Sequence, residues 1–296
     1  MSTVLMNTSP PSQWTKFFPD HQACRTAWMN HRWLAKHVHA LDAQLLIPAI
    51  RRVDDRHLTF EHVTGRHARP EDAVAIAGLM GRLHRAMHDD TLHDARLDTP
   101  CPVSRELTIP DFVTPRRSLV RQRVDSEQVR APAMSAEQLV HLIEEARNAP
   151  AAIYNDANPR NFLLDGHRVF AVDHDCLTLA PFGYDLAKLI TSLVMTHGPL
   201  PSALIAEALA AYNRALPGPP HHIPEVRWSD LMAWAEVHHV LTSPYLGRHG
   251  YRYGWHEGRP AASTCGSEVS VPPPKVQEQD RPDDPGRPAL RGPRGA

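Results

Sequence analysis

The sequence predicts an α+β fold, with strands gathered near the N-terminus and helices after them. Three observations carry that reading. Short strand-like runs occur at residues 14–18, 45–50 and 57–63, with a turn at Asp54-Asp55. Amphipathic helical periods dominate from Pro70 onward. Between the apolar runs 162–164 and 169–172 lies Asp165-Gly166, a strong hairpin signal because glycine supplies positive φ at little cost.

In chain order, residues 1–12 are polar and Pro-containing, and are expected to be loose. Residues 14–18 read as a short strand with Lys16 inside it, and 23–37 as an amphipathic helix with Ala27, Trp28, His31 and Leu34 or Ala35 on one face. The strands 45–50 and 57–63 complete this part. Pro70 to His88 reads as a helix, with Pro, Glu71 and Asp72 as start signals and Ala73, Ile76, Ala77, Met80, Leu83 and Met87 as its apolar stripe. His84 and His88 are four apart, a metal spacing, but without a third ligand they read as ordinary helix histidines. Residues 89–134 form a long connection with at most one helix. Ser135 and Gln138 make a capping box for a helix to about Asn148. Helices then fall at 185–196, 201–215 and 227–241. Tyr245, Tyr251, Tyr253 and Trp255 cluster near the end, either packed or caging a cation. Residues 257–296 are Pro, Gly and charge, and are expected to be disordered.

Composition excludes several classes. With 296 residues the chain can bury a sizeable core, and its formal charge of −1 and pI near 7.1 give no electrostatic case for nucleic acid or an anionic membrane. Cysteines 24, 101, 176 and 265 show no paired short spacing, so neither a disulfide framework nor a zinc site is expected and a reducing cytoplasm fits. No signal peptide and no transmembrane run is read. Oligomeric state is not legible.

The chemistry concentrates between Tyr154 and Asp173. Asn161 enters the hairpin and Asp173 leaves it, and paired strands lie about 5 Å apart, so the two meet. An amide oxygen and a carboxylate held that close suit Mg²⁺, which prefers hard oxygen ligands. Asp156, five residues before Asn161, can face the same point as proton acceptor for a hydroxyl. The set Tyr154-Asn155-Asp156, Asn161-Phe162-Leu163-Leu164, Asp165-Gly166, Val172-Asp173-His174-Asp175 and Tyr184-Asp185-Leu186-Ala187 resembles the aminoglycoside phosphotransferase and choline kinase superfamily.

That resemblance implies a two-lobe protein-kinase-like fold, with a small, incomplete β-rich N-lobe (1–63), a mainly helical C-lobe (64–256) and the tail 257–296. It implies ATP and Mg²⁺ as cofactors and a small-molecule hydroxyl as acceptor. Asp156 would be the catalytic base, Asn161 and Asp173 the metal ligands, and Lys16 the lysine that holds the nucleotide phosphates. Glu61 and Val63, with His62 between them, resemble the hinge that binds adenine. Tyr154 stands where the family carries His, and would support the loop by packing and hydrogen bonding. Asp175 would reach a second metal or cap the next segment, and Asp185 would anchor the catalytic loop. Two family features are missing. No glycine precedes Lys16, so the N-lobe is expected to be truncated or to start further upstream, and no Asp or Glu lies between Asp20 and Asp42. A second reading is therefore a catalytically impaired pseudokinase that binds a nucleotide or a partner.

Overall fold

The computed structural model describes residues 12–41, 44–126 and 129–260. The chain opens with β1 (Gln13–Phe17). Asp20 then caps α1 (His21–His39), its carboxylate accepting from the Ala23 N–H at 2.8 Å. Next come β2 (Leu45–Leu46), β3 (Ile50–Val53) and β4 (His57–Glu61). The strand expected over 45–50 is thus two pieces, with Pro48, which has no N–H for a ladder, between them. Antiparallel pairing orders one sheet β1-β4-β3, with β1 on the edge and Lys16 opposite Leu58. Phe18, Cys24, Ala27 and Leu58 pack α1 onto it.

β5 (Arg66–His67) precedes a single 3₁₀ turn at Pro70–Asp72, which opens α2 (Ala73–Met87). β6 (Cys101–Pro102), β7 (Thr108–Ile109) and one helix, α3 (Val113–Asp125), occupy the long connection. Before α4 (Ala136–Glu145) the expected capping box forms: Ser135 Oγ accepts from the Gln138 N–H at 3.3 Å, and Gln138 Oε1 accepts from the Ser135 N–H at 2.8 Å. β8 (Ala151–Tyr154), β9 (Phe162–Asp165), β10 (Arg168–Ala171) and β11 (Thr178–Pro181) follow. The chain then runs through α5 (Tyr184–His197), α6 (Ser202–Asn213), α7 (Trp228–Thr242) and the short α8 (Trp255–Gly258).

The hairpin forms one residue later than its turn signal suggests. Asp165 pairs with Arg168, so the turn residues are Gly166 and His167, and Gly166 takes the positive φ of +60°. β9 and β10 lie in a second sheet ordered β2-β10-β9-β5, and β2 runs parallel to β10. Helix α5 is buried from Tyr184 to Met195 and is the centre of the helical lobe. On α2, Gly81 lies so close to α6 that a Cβ there would stand 2.6 Å from the Tyr212 carbonyl oxygen. Among the described residues no helix is long and apolar enough to cross a membrane. Residues 257 and 258 lie in α8, and Arg259 pairs with Glu236, so this part of the expected tail is ordered; residues 261–296 lie outside the described residues.

Candidate active site

The hairpin brings its two ends together as the spacing requires. The Val172 N–H donates to the Asn161 carbonyl at 2.9 Å, which sets Asn161 beside the chain that leads into Asp173. The side chain of Asn161 donates from Nδ2 to the Asp156 carbonyl oxygen at 2.9 Å. A carbonyl can only accept, so this bond fixes the amide orientation and leaves Asn161 Oδ1 as the open acceptor. Asp156 and Asp173 both hold left-handed φ, +49° and +67°. Non-glycine residues adopt this region at a cost, and such strain concentrates at functional sites.

Across the cleft, Lys16 Nζ lies 2.5 Å from Asp173 Oδ1 and 2.5 Å from Asp175 Oδ2. Burial pulls Lys16 down, but the hydrogen bonds and charges of the two carboxylates outweigh it, so its pKa is raised and the ammonium is secure. Burial pushes the Asp175 carboxyl up, against the pull of Lys16. His174 between them is pushed down to about 3, first by burial and then by His31. Its neutral ring donates from Nε2 to the Ala171 carbonyl at 3.1 Å and accepts at Nδ1 from the Asn155 amide at 3.0 Å.

The loop carrying Asp156 is held from inside the helical lobe. Asp185, at the start of α5, accepts from the Asn155 N–H at 3.2 Å and the Ala157 N–H at 2.9 Å. This is the anchoring its sequence position suggested. Burial lifts Asp185 to about 7, although those two bonds and Lys188 pull the other way. Tyr154 donates its hydroxyl to Asp156 Oδ1 at 3.0 Å and stacks on His238 at 5.8 Å, so it supplies both kinds of support expected of it. Lys188, buried on α5, places Nζ 3.3 Å from the same Asp156 oxygen and 3.4 Å from the Tyr251 hydroxyl. Tyr251 also accepts from Asn158 Nδ2 at 2.8 Å and bonds Ser192 at 3.1 Å.

Lys16, Glu61, Val63, Asn161 and Asp173 line one cleft of about 520 Å³. Its walls include Leu58, Phe60, Leu163 and Val172, an apolar lining suited to a flat ring. The Glu61 N–H is taken by the Ala49 carbonyl at 2.9 Å and the His62 N–H by the Ser12 carbonyl at 3.1 Å. Asp156 does not line this cleft; it stands behind Asn161. Among the described residues no three His, Cys, Asp or Glu side chains form a metal-holding group. His84 and His88 are structural, as expected: they bond the Tyr212 hydroxyl at 2.8 Å and the Ala151 carbonyl at 2.9 Å.

The family model of the phosphotransferase enzyme family (APH) matches residues 30–222, which include the hairpin, Asp156 and Asp185. The chain belongs to this family. Among solved structures it is similar to macrolide 2′-phosphotransferase MphH from Brachybacterium faecium, at 15% identity over 79% of this chain and 76% of that one, with a TM-score of 0.52. It is also similar to aminoglycoside phosphotransferase APH(3″)-Id from Streptomyces rimosus, crystallised with ADP and streptomycin (17% identity, 78% and 87% covered, TM-score 0.49). A choline/ethanolamine kinase family protein from Mesorhizobium loti is a third (16% identity, 79% and 72% covered, TM-score 0.48). No curated protein matches the sequence. The fold is the two-lobe kinase-like α+β fold of this family.

Three residues of the site escape sequence reasoning. Lys188 carries a signal: it is the one charge between Leu186 and Met195 of an otherwise apolar helix, one turn after Asp185. Asn30, which donates to the carbonyls of His174 and Asp175, carries none, and neither does Tyr251's role beside Asn158 and Lys188, because these partners are remote in sequence. The aromatic cluster does not form a cage. Trp255 is buried and donates to Glu236 at 2.7 Å, Tyr251 faces Lys188, and among the described residues no ring pair joins two members of the group.

Proposed function

We propose that the protein transfers the γ-phosphate of ATP, with Mg²⁺, to a hydroxyl of a small molecule. The observation that carries this reading is the meeting of Asn161 and Asp173 at the hairpin ends, with Lys16 opposite them and Asp156 behind them. The donor set fits the metal: Asn161 Oδ1 is open, Asp173 is half exposed, and Mg²⁺ needs only one or two protein carboxylates beside phosphate and water oxygens. The cleft fits the nucleotide, since its apolar walls end at Val63, whose N–H takes no part in the pairing that fixes Glu61 and His62.

When bound, MgATP supplies the transferable phosphoryl group and a divalent charge that offsets it. Lys16 adds a second positive charge on the nucleotide side. Asp156 orients the acceptor hydroxyl and takes its proton, and Lys188 and Tyr154 fix which way its carboxylate faces. The acceptor is a small hydroxylated molecule.

The test is ADP release measured with a panel of hydroxylated acceptors, among them aminoglycosides, macrolides and amino alcohols. Acceptor-stimulated release that Asp156→Asn abolishes supports the reading. The absence of a carboxylate on α1 favours a second reading, a nucleotide-binding module without turnover. Nucleotide binding with no release across the panel would decide for it.

A further inference from the structure

A lysine that holds phosphates needs a fixed partner, because its ammonium rides on a flexible four-carbon stem. In this fold the partner is expected on the helix after the lysine strand. Helix α1 has no Asp or Glu to offer between residues 21 and 41. Ala27, near the expected position, is buried, lines the cleft, and packs with Leu58, the residue opposite Lys16.

Lys16 instead meets two carboxylates, and they are not equivalent. Asp173 is the more open, with 48% of its side chain exposed, and is the residue read above as a metal ligand. A metal and Lys16 therefore compete for it. Asp175 is less exposed, at 31%, and its backbone is gripped. Asn30, buried on α1, donates from its single amide nitrogen to the carbonyls of both His174 and Asp175, each at 3.1 Å. Both hydrogens of that amide are used on the segment carrying Asp175. So α1 still reaches the phosphate lysine, but through the loop after β10 rather than through a carboxylate of its own.

The geometry points to Asp175 as the positioning residue of Lys16. It takes the place of the missing helix carboxylate and leaves Asp173 free for the metal. This inference rests on the phosphotransferase reading above.

The test is calorimetric binding of the non-hydrolysable analogue AMP-PNP, with Mg²⁺, to the wild type, to Asp175→Asn and to the double variant Ala27→Glu/Asp175→Asn. The double variant keeps the wild-type charge and returns the carboxylate to α1. Loss of a charge-assisted bond predicts about tenfold weaker binding for Asp175→Asn. The double variant should recover to within about threefold of wild type. Asp175→Asn binding as tightly as wild type overturns the inference. So does a double variant that folds but stays weak, since the carboxylate would then be needed at 175 itself, as for a metal ligand. Asn30→Ala covers the case of a double variant that does not fold: it frees the Asp175 segment and should weaken binding several-fold, and unchanged binding overturns the inference. Wild-type protein that binds no AMP-PNP is a different failure, that of the phosphotransferase reading itself.

Discussion

The loop that carries Asp156 is held from the interior of the helical lobe, whereas Asp173 and Asp175 meet a single ammonium in the open cleft. On the first side, buried Asp185, Lys188 and Tyr251 converge on four consecutive residues, Asn155 to Asn158. On the second, Lys16 is one side chain on an edge strand, and both carboxylates keep contact with solvent. The difference matches what the proposed phosphoryl transfer would ask of each side. It would need an acceptor hydroxyl held in one geometry, where a misplacement of about 1 Å is costly. It would also need a nucleotide and its metal to enter and leave, and ion pairs that open cheaply would serve that better.

The contrast predicts that damage on the inner side costs stability or turnover, whereas damage on the cleft side costs ligand response and little stability. The largest stability effect is expected for Asp185→Ala. It strips the N–H groups of Asn155 and Ala157 of their acceptor and should cost about 4 kcal/mol in urea unfolding. A loss under about 1 kcal/mol would mean the loop is held by something else.

Acid should have the next largest effect, and it should destabilise the fold. His84 and His174 are both pushed from 6.5 to about 3 by burial, so below pH 6.5 the unfolded chain binds protons that the fold refuses. Each histidine then removes about 1.4 kcal/mol of stability per pH unit as pH falls. Asp185 works the other way between about 7 and 3.8, because there the fold holds a proton that the unfolded chain releases. His31, pushed down to about 4 by burial, acts with the two histidines, and Asp175, pushed up by burial, acts with Asp185. The histidines outnumber the carboxyls, so stability falls on acidification from 6.5 toward 4. His84→Gln should flatten that fall by one proton's worth, measured by unfolding at a series of pH values.

Lys188→Met sets two terms against each other. Removing a buried ammonium regains desolvation energy, and the half-exposed Asp156 can be hydrated instead, so stability should move by less than about 1 kcal/mol. Turnover should fall about tenfold or more, because Asp156 loses the charge that fixes it. The smallest stability effect is expected at Lys16→Met, under about 1 kcal/mol, since both of its ion pairs face solvent. Its response to nucleotide should nevertheless disappear.

What was legible in the sequence was local. Gly166 demands a turn, the apolar runs on either side demand pairing, and so Asn161 and Asp173 had to meet. The capping box at Ser135 and the anchoring role of Asp185 are readable for the same reason, since the signal and its consequence lie close together or in one motif. Asn30 and His174 are 144 positions apart, and Asn158 and Tyr251 are 93 apart. No spacing rule links such residues; only the packing of α1 and of the C-terminal segment brings them together. The aromatic run at 245–255 leaves two alternatives open in the sequence, packing or a cage. Trp255 and Tyr251 are packed, each against its own partner, Glu236 and Lys188, and no spacing rule names those partners.

If Asn161 and Asp173 form a working metal–nucleotide site, MgATP should stabilise the fold through them. Thermal unfolding of the wild type and of Asp173→Ala, with and without MgATP, is the measurement that decides this. A nucleotide at 100 times its Kd should add about 2.7 kcal/mol to the wild type. That gain should require Mg²⁺ and vanish in Asp173→Ala. A wild-type melting curve indifferent to MgATP, or a gain that survives in the variant, would contradict the claim.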